Sequence, residues 1–326
     1  MVEPEQPQGR IAADEDVNSA IDMPIESTAS LRSSILKYHE ENGRTYHALS
    51  SGPTDILKGE QERLDIVHHI LLLTFDGKLC LSPKNENAKS VLDMGTGTGA
   101  WAIDFADAHP EARVIGVDLS PIQPTFTPPN CAFEVDDLEK EWTWGPGRFD
   151  LIFCRSLAGS FASWPKIMQK AFNHLEPGGY FEIHDNLFPV LCDDGTLPVD
   201  SALVRWCNLM VEGAAKLGRS LNEAPKYAGW LSEAGFENVT TKLYKWPINR
   251  WPKDPKFKEL GAWTLTAMDG GLEGLCLAVF TRALGWMQDE TLAFCSAVRQ
   301  DLRNPKYHGY WQIYVTYGKK PETEAS

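Results

Sequence analysis

The stretch that decides the fold is Ser90-Val91-Leu92-Asp93-Met94-Gly95-Thr96-Gly97-Thr98-Gly99. A short, mostly apolar strand runs straight into glycines at alternate positions. A ligand lying against the backbone at a strand's C-terminal end needs residues without side chains there, which glycine supplies. The helix that follows offers unpaired N–H groups to polar ligand atoms. Nicotinamide and flavin enzymes place a G-x-G-x-x-G loop in the same position. Here the third glycine comes one residue early, and Asp93 precedes the first by two. A carboxylate at that point suits a ligand with an ammonium group better than one with a pyrophosphate. The alternative is a glycine turn that holds no ligand.

Working outward, the same rhythm repeats. Trp101 to His109 reads as a helix stopped by Pro110, and Arg113 to Val117 as a second strand closed by Asp118. Cys131 to Val135 is a third strand ending at Asp136-Asp137, and Phe149 to Cys154 a fourth. The helix Trp164 to Leu175, the turn Glu176-Pro177-Gly178-Gly179 and a fifth strand Tyr180 to His184 follow. Farther on come a helix at Tyr227 to Ala234, a sixth strand at Val239 to Tyr244 and a seventh at Trp311 to Tyr317. Short apolar strands alternating with helices predict an α/β fold with a parallel sheet covered on both faces. The domain spans 86–320, with helical insertions at about 199–219 and 256–302. Residues 29–85 read as an N-terminal helical cap with helices from Leu31 and over Gly59 to Phe75, and 321–326 as a flexible tail.

Residues 1–28 have few apolar side chains and no periodicity, which predicts disorder. They hold seven acids against Arg10, about six of the net charge of −14, so the folded part is only mildly acidic. That balance speaks against general affinity for DNA or anionic lipid, which needs clustered Lys and Arg. No apolar run approaches the ~18 to 20 residues of a membrane span. No basic region leads into an apolar one near the N-terminus, so no secretory signal is expected. Seven scattered cysteines without a CxxC argue against a disulfide framework or a zinc ribbon and for a reducing, cytoplasmic setting. His68 and His69 are neighbours, not at the i, i+4 spacing of a zinc helix, and no metal is expected.

Several residues carry candidate chemistry. Asp118 ends the second strand, where a carboxylate can accept from both ribose hydroxyls, or can merely cap a helix. Asp136 or Asp137, ending the third, could reach an adenine amino group or simply solvate a loop. Trp142 or Trp144 could cover the adenine face or belong to the core. Arg155 and Ser156 end the fourth strand opposite the reacting centre, where Arg155 could pair with an acid or hold the amino-acid end of the ligand. His184 ends the fifth strand, and period-two alternation puts it on the same side as Glu182. Imidazole is the side chain best suited to take a proton near neutral pH, so His184 is the candidate general base, with a structural histidine as the alternative. Trp246, Trp251, Trp263, Met268, Phe280 and Trp286 are candidate walls of an apolar acceptor pocket, or core.

With these residues in view, the chain resembles the LaeA-like methyltransferases of filamentous fungi. The resemblance runs from Asn42-Gly43-Arg44-Thr45-Tyr46-His47 through Glu62-Arg63-Leu64-Asp65 with His68-His69, Val91 to Asp104 and Val114 to Pro124. It continues through Pro128-Pro129-Asn130, Phe133 to Asp137 and Trp251-Pro252-Lys253-Asp254 to Tyr317-Gly318. It implies a seven-stranded, Rossmann-like class I methyltransferase fold and S-adenosylmethionine as cofactor. Asp93, Gly95, Gly97 and Gly99 would line the methionine side, Asp118 the ribose, and Asp136-Asp137 the adenine. Tyr46, His47 and Arg63 would belong to a cap over the cofactor. Leu119, Leu138 and Arg155 complete the cofactor-binding set.

The family divides in function. Some members resemble tailoring enzymes that methylate a small product; others resemble nuclear regulators of secondary metabolism that act with velvet-type partners. This sequence has no evident basic nuclear-localisation run, so a tailoring enzyme with a small-molecule acceptor is expected. A non-catalytic partner protein and a nicotinamide oxidoreductase are the rival classes. The glycine spacing, Pro177-Gly178-Gly179 and the late seventh strand disfavour the oxidoreductase.

Overall fold

A computed structural model describes residues 9–15 and 55–322. Seven strands, β1 (Ser90–Met94), β2 (Arg113–Asp118), β3 (Cys131–Val135), β4 (Phe149–Arg155), β5 (Leu175–Cys192), β6 (Glu237–Pro247) and β7 (Gly309–Lys319), form one sheet in the order β3-β2-β1-β4-β5-β7-β6. β1 to β5 are parallel to one another, while β7 lies between β5 and β6 and runs antiparallel to both. The central strands are buried on both faces, which is why they read as apolar runs rather than as alternation.

One face of the sheet is covered by α1 (Asp55–Thr74) and α2 (Ala100–Ala108). Trp101 of α2 stacks flat on Phe153 of β4, with ring centroids 3.9 Å apart. The other face is covered by α3 (Trp164–His174) and α5 (Tyr227–Glu233), through Ile167, Met168, Ala171, Tyr227 and Leu231. Between α3 and α5 comes α4 (Ala202–Lys216), whose Ser201 cap accepts from Val204 N–H. The second insertion folds as α6 (Pro255–Ala283) and α7 (Gln288–Arg303). Asp254 starts α6 by accepting from the N–H groups of Lys256 and Phe257, with Pro255 in the first turn where a missing donor costs nothing.

The observed strands differ from the expected ones mainly after the site. β5 does not stop at His184 but continues to Cys192, because β7 pairs with it as far as Tyr310 and Gly309. Asp185 and Asn186 look like a strand end in sequence. Yet Asp185 is buried, accepting from Tyr227 Oη at 2.9 Å and from Ala158 N–H at 3.1 Å. The Pro177-Gly178-Gly179 turn lies where the pairing of β4 with β5 shifts register.

The expected aromatic pocket walls are largely core. Trp246, Trp251, Trp263 and Phe280 are all buried in one cluster with α1, α4, α6 and α7, and Met268 and Trp286 pack against it. Residues 9–15 also depart from the expectation of disorder. Ala13 bridges Pro252, Asp14 N–H donates to Trp251 O, Lys253 N–H donates to Ala12 O, and Ile11 is buried in the same cluster. A single apolar side chain with a prepared place is enough to dock the segment, and composition averages over it. The helix expected from Leu31 lies outside the described residues.

The exit of α1 is tied to the sheet by Glu182 of β5. Its carboxylate, fully buried, accepts from Leu81 N–H at 2.6 Å and Ser82 N–H at 2.7 Å, and its Oε1 lies 2.6 Å from His184 Nε2. Burial alone would raise the Glu182 pKa, but His184 and the two backbone donors outweigh it and hold the group below the usual carboxylate range. An unfolded Glu therefore takes its proton first as pH falls, so this pair contributes fully above about pH 4.5 and progressively less as pH falls from there through the lowered folded value. Glu182→Ala should lower stability at pH 7 by about 3 kcal/mol or more, since it leaves buried partners unpaired. It should also remove part of the acid sensitivity between pH 5 and 3. Urea unfolding at both ends of that range measures the two effects.

Candidate functional site

The loop after β1 is built on left-handed backbone: φ is +68° at Gly95, +57° at Gly97 and +82° at Gly99. Side chains are strained in that region, and space forbids them as well. A Cβ on Gly95 would stand 2.5 Å from Leu157, and one on Gly99 would stand 2.4 Å from the Phe133 ring. The loop is fastened to the end of β2. Gly95 N–H and Thr96 N–H both donate to Val117 O, and Gly97 N–H donates to Asp118 Oδ2 at 2.9 Å.

Asp118 thus braces the loop, and Ser120 N–H donates to its other oxygen at 2.9 Å. A carboxylate has about four acceptor positions, so two remain for a ribose. The next residue, Leu119, is 69% exposed, an apolar surface beside that carboxylate. Leu138 is instead buried in the core beneath α3. Asp137 is occupied locally, accepting from Glu139 N–H and pairing with Lys140, whereas Asp136 accepts from Asp137 N–H through Oδ1. Trp142 and Trp144 belong to the core: Trp142 Nε1 donates to Leu138 O, and the rings pack on His174 and Phe149.

On the α1 and α2 side of the sheet stands a polar group whose make-up the sequence shows only in pieces. Asp93 is buried, and Thr96 Oγ1 donates to it at 2.6 Å. Burial pushes its pKa up to about 7 against the pull of Thr96 and Arg155. Arg155, at the end of β4, donates from Nη1 to His68 Nδ1 at 2.7 Å, and His68 Nε2 lies 2.8 Å from Asp104 Oδ2. Asp65 of α1 accepts from Thr98 Oγ1 at 2.8 Å, and Leu64 lies against Gly97. Helix α1 therefore reaches the glycine loop through Leu64 and Asp65, and α2 and β4 through His68. Arg63 does not join them: it pairs with Glu60 and packs against Gly271 of α6. Tyr46 and His47 lie outside the described residues.

After Arg155 the chain turns through Ser156, a left-handed non-glycine residue at φ +55° whose N–H donates to His184 O. That turn lays Leu157 on Gly95. His184 itself shares its face with Glu182, as alternation predicts, but not as an accessible base. Its side chain is 1% exposed, its Nε2 is committed to Glu182, and Phe75 and Phe153 stand edge-on to the ring at 4.9 Å. A base must come within hydrogen-bond reach of the proton it removes, and this packing closes the ring off.

The residues present fit S-adenosylmethionine. The three glycines leave the loop backbone uncovered by side chains of their own, the Asp93 carboxylate lies at the end of β1 beside the loop, and Asp118 retains acceptor positions beside an exposed leucine. Comparison with known proteins agrees. A methyltransferase domain family model matches residues 66–241. Methyltransferase pytC of Aspergillus terreus is 38% identical over 97% of this chain and 98% of its own length. The probable methyltransferase tdiE of Emericella nidulans is 36% identical over 90% of this chain and 92% of its own. The secondary metabolism regulator LAE1 of Cochliobolus heterostrophus is 36% identical over 86% of this chain and 94% of its own. With a glycine loop braced by Asp118 and relatives that align along most of its length, the chain belongs to the LaeA-like, S-adenosylmethionine-dependent methyltransferases.

Proposed function

We propose that this methyltransferase acts on an oxygen or nitrogen of a small-molecule intermediate of fungal secondary metabolism. The observation that carries the cofactor half is the bracing of the left-handed loop by Asp118. In this reading Asp93 receives the cofactor's ammonium group and Arg155 its carboxylate. Asp118 takes the ribose hydroxyls, Asp136 the adenine amino group, and Leu119 covers the adenine face. When bound, S-adenosylmethionine supplies a methyl group already activated by its sulfonium for in-line displacement. The protein's part is then chiefly positioning, for which effective molarities of roughly 10⁵ to 10⁸ M are known. A carboxylate acceptor needs no base; with His184 enclosed, a hydroxyl acceptor would lose its proton to another group or to water.

The similarity to pytC and tdiE along nearly the whole chain supports the tailoring role. No helix among the described residues is long and apolar enough to cross a membrane. The comparable match to LAE1 supports a second reading, a regulator working in a complex with a velvet-type protein partner, for which a nuclear location follows. A methylated product from a small acceptor, obtained with the purified chain alone, separates the first reading from the second.

Calorimetric titration of S-adenosylhomocysteine should show binding that Asp118→Ala weakens tenfold or more, about 1.4 kcal/mol. Unchanged affinity in a folded variant would remove the ribose assignment. The raised Asp93 pKa gives a further expectation. An ammonium group beside this carboxylate favours its ionised form, so binding near pH 7 should release part of a proton, and affinity should rise from pH 6 to 8. Titrations in buffers of different ionisation enthalpy measure the release. The same release from Asp93→Asn would assign it elsewhere.

A further inference from the structure

We propose that His68 is the positioning residue for Arg155, locked in one tautomer between Arg155 and Asp104 so that the guanidinium is held for the cofactor's carboxylate. The inference rests on the assignment of Arg155 made above and adds the group that aims it.

The tautomer follows from the contacts. A guanidinium only donates, so Nδ1 of His68, at 2.7 Å from Arg155 Nη1, must present its lone pair. The proton of the neutral ring is then on Nε2, which faces a carboxylate oxygen of Asp104 at 2.8 Å. The opposite tautomer would set N–H against N–H and lone pair against carboxylate. A doubly protonated ring would press a second cation on the guanidinium. The surroundings favour the neutral ring: burial and the Arg155 charge lower the His68 pKa, outweighing Asp104 and Asp65. The chain of contacts crosses three elements, α2 at Asp104, α1 at His68 and β4 at Arg155.

Holding Arg155 matters because of its neighbour. Asp93, on the strand beside β4, attracts the same guanidinium. An arginine side chain is long, and if it closed on Asp93 the two groups would neutralise each other. The ligand's ammonium and carboxylate would then lose both of their partners. His68 offers the guanidinium a neutral acceptor of its own, 2.7 Å from Nη1, so that Arg155 need not close on Asp93.

A double-mutant cycle tests this directly, read as S-adenosylhomocysteine affinity by calorimetry, with thermal unfolding as the check on folding. His68→Ala and Arg155→Ala should each weaken binding tenfold or more. The double variant should be no more than threefold weaker than Arg155→Ala, because His68 acts through Arg155. His68→Asn, whose amide oxygen can stand near the position of Nδ1, should restore affinity to within threefold of the native protein. Should His68→Ala not fold, His68→Leu fills the space without an acceptor and runs the same cycle. Losses that multiply in the double variant, or an Asn variant no better than Ala or Leu, would overturn the role of His68 and leave Arg155 in place. Native affinity in Arg155→Ala would instead remove the assignment on which the proposal rests.

Discussion

The fastening of the glycine loop to the end of β2, through Val117 O and the Asp118 carboxylate, sets the frame in which the rest of the site is arranged. A loop with three left-handed glycines gains its shape at a large entropic cost, since glycine loses more freedom on folding than any other residue. Fastening it to the end of β2 at Val117 and Asp118 removes that freedom. Helix α2 can then start at Gly99, and Trp101 can stack on Phe153. The residue that braces the loop is also the residue assigned to the ribose, so the shape of the site and its chemistry are coupled through one side chain.

The first four strands were legible because each is a short apolar run with its polar residue placed at the end, and β1 and β3 match the expected bounds residue for residue. Asp93, Asp118 and Arg155 could be found for the same reason: each sits within or at the end of such a run. What could not be read is whatever depends on contacts distant in sequence. Asp185 resembles the end of a strand until Tyr227 comes to it from α5. His68 and Asp104 lie 36 residues apart, and nothing in their local context announces that Arg155 joins them.

Residue type also proved a weaker guide than enclosure. His184 has the chemistry of a base and the expected face, yet two phenylalanines and a glutamate account for its surroundings. The tryptophans expected to line an acceptor pocket fill a second core instead, joining α1 to the insertions. In both cases an aromatic or titratable side chain looked available because composition carries no information on depth. The glycine loop was written in local pattern, and the enclosure of His184 and of the tryptophans in packing.

The place of β7 has a bearing on how the chain reaches its native state. The last strand in sequence is not an edge of the sheet but an interior member, antiparallel to β5 on one side and β6 on the other. During synthesis, β5 and β6 must emerge and wait with unpaired edges while α6 and α7 are made, since each needs a partner that comes later. Exposed strand edges invite pairing with other chains. The nascent protein therefore keeps these edges open until β7 has been made, and closure of the sheet waits on that strand.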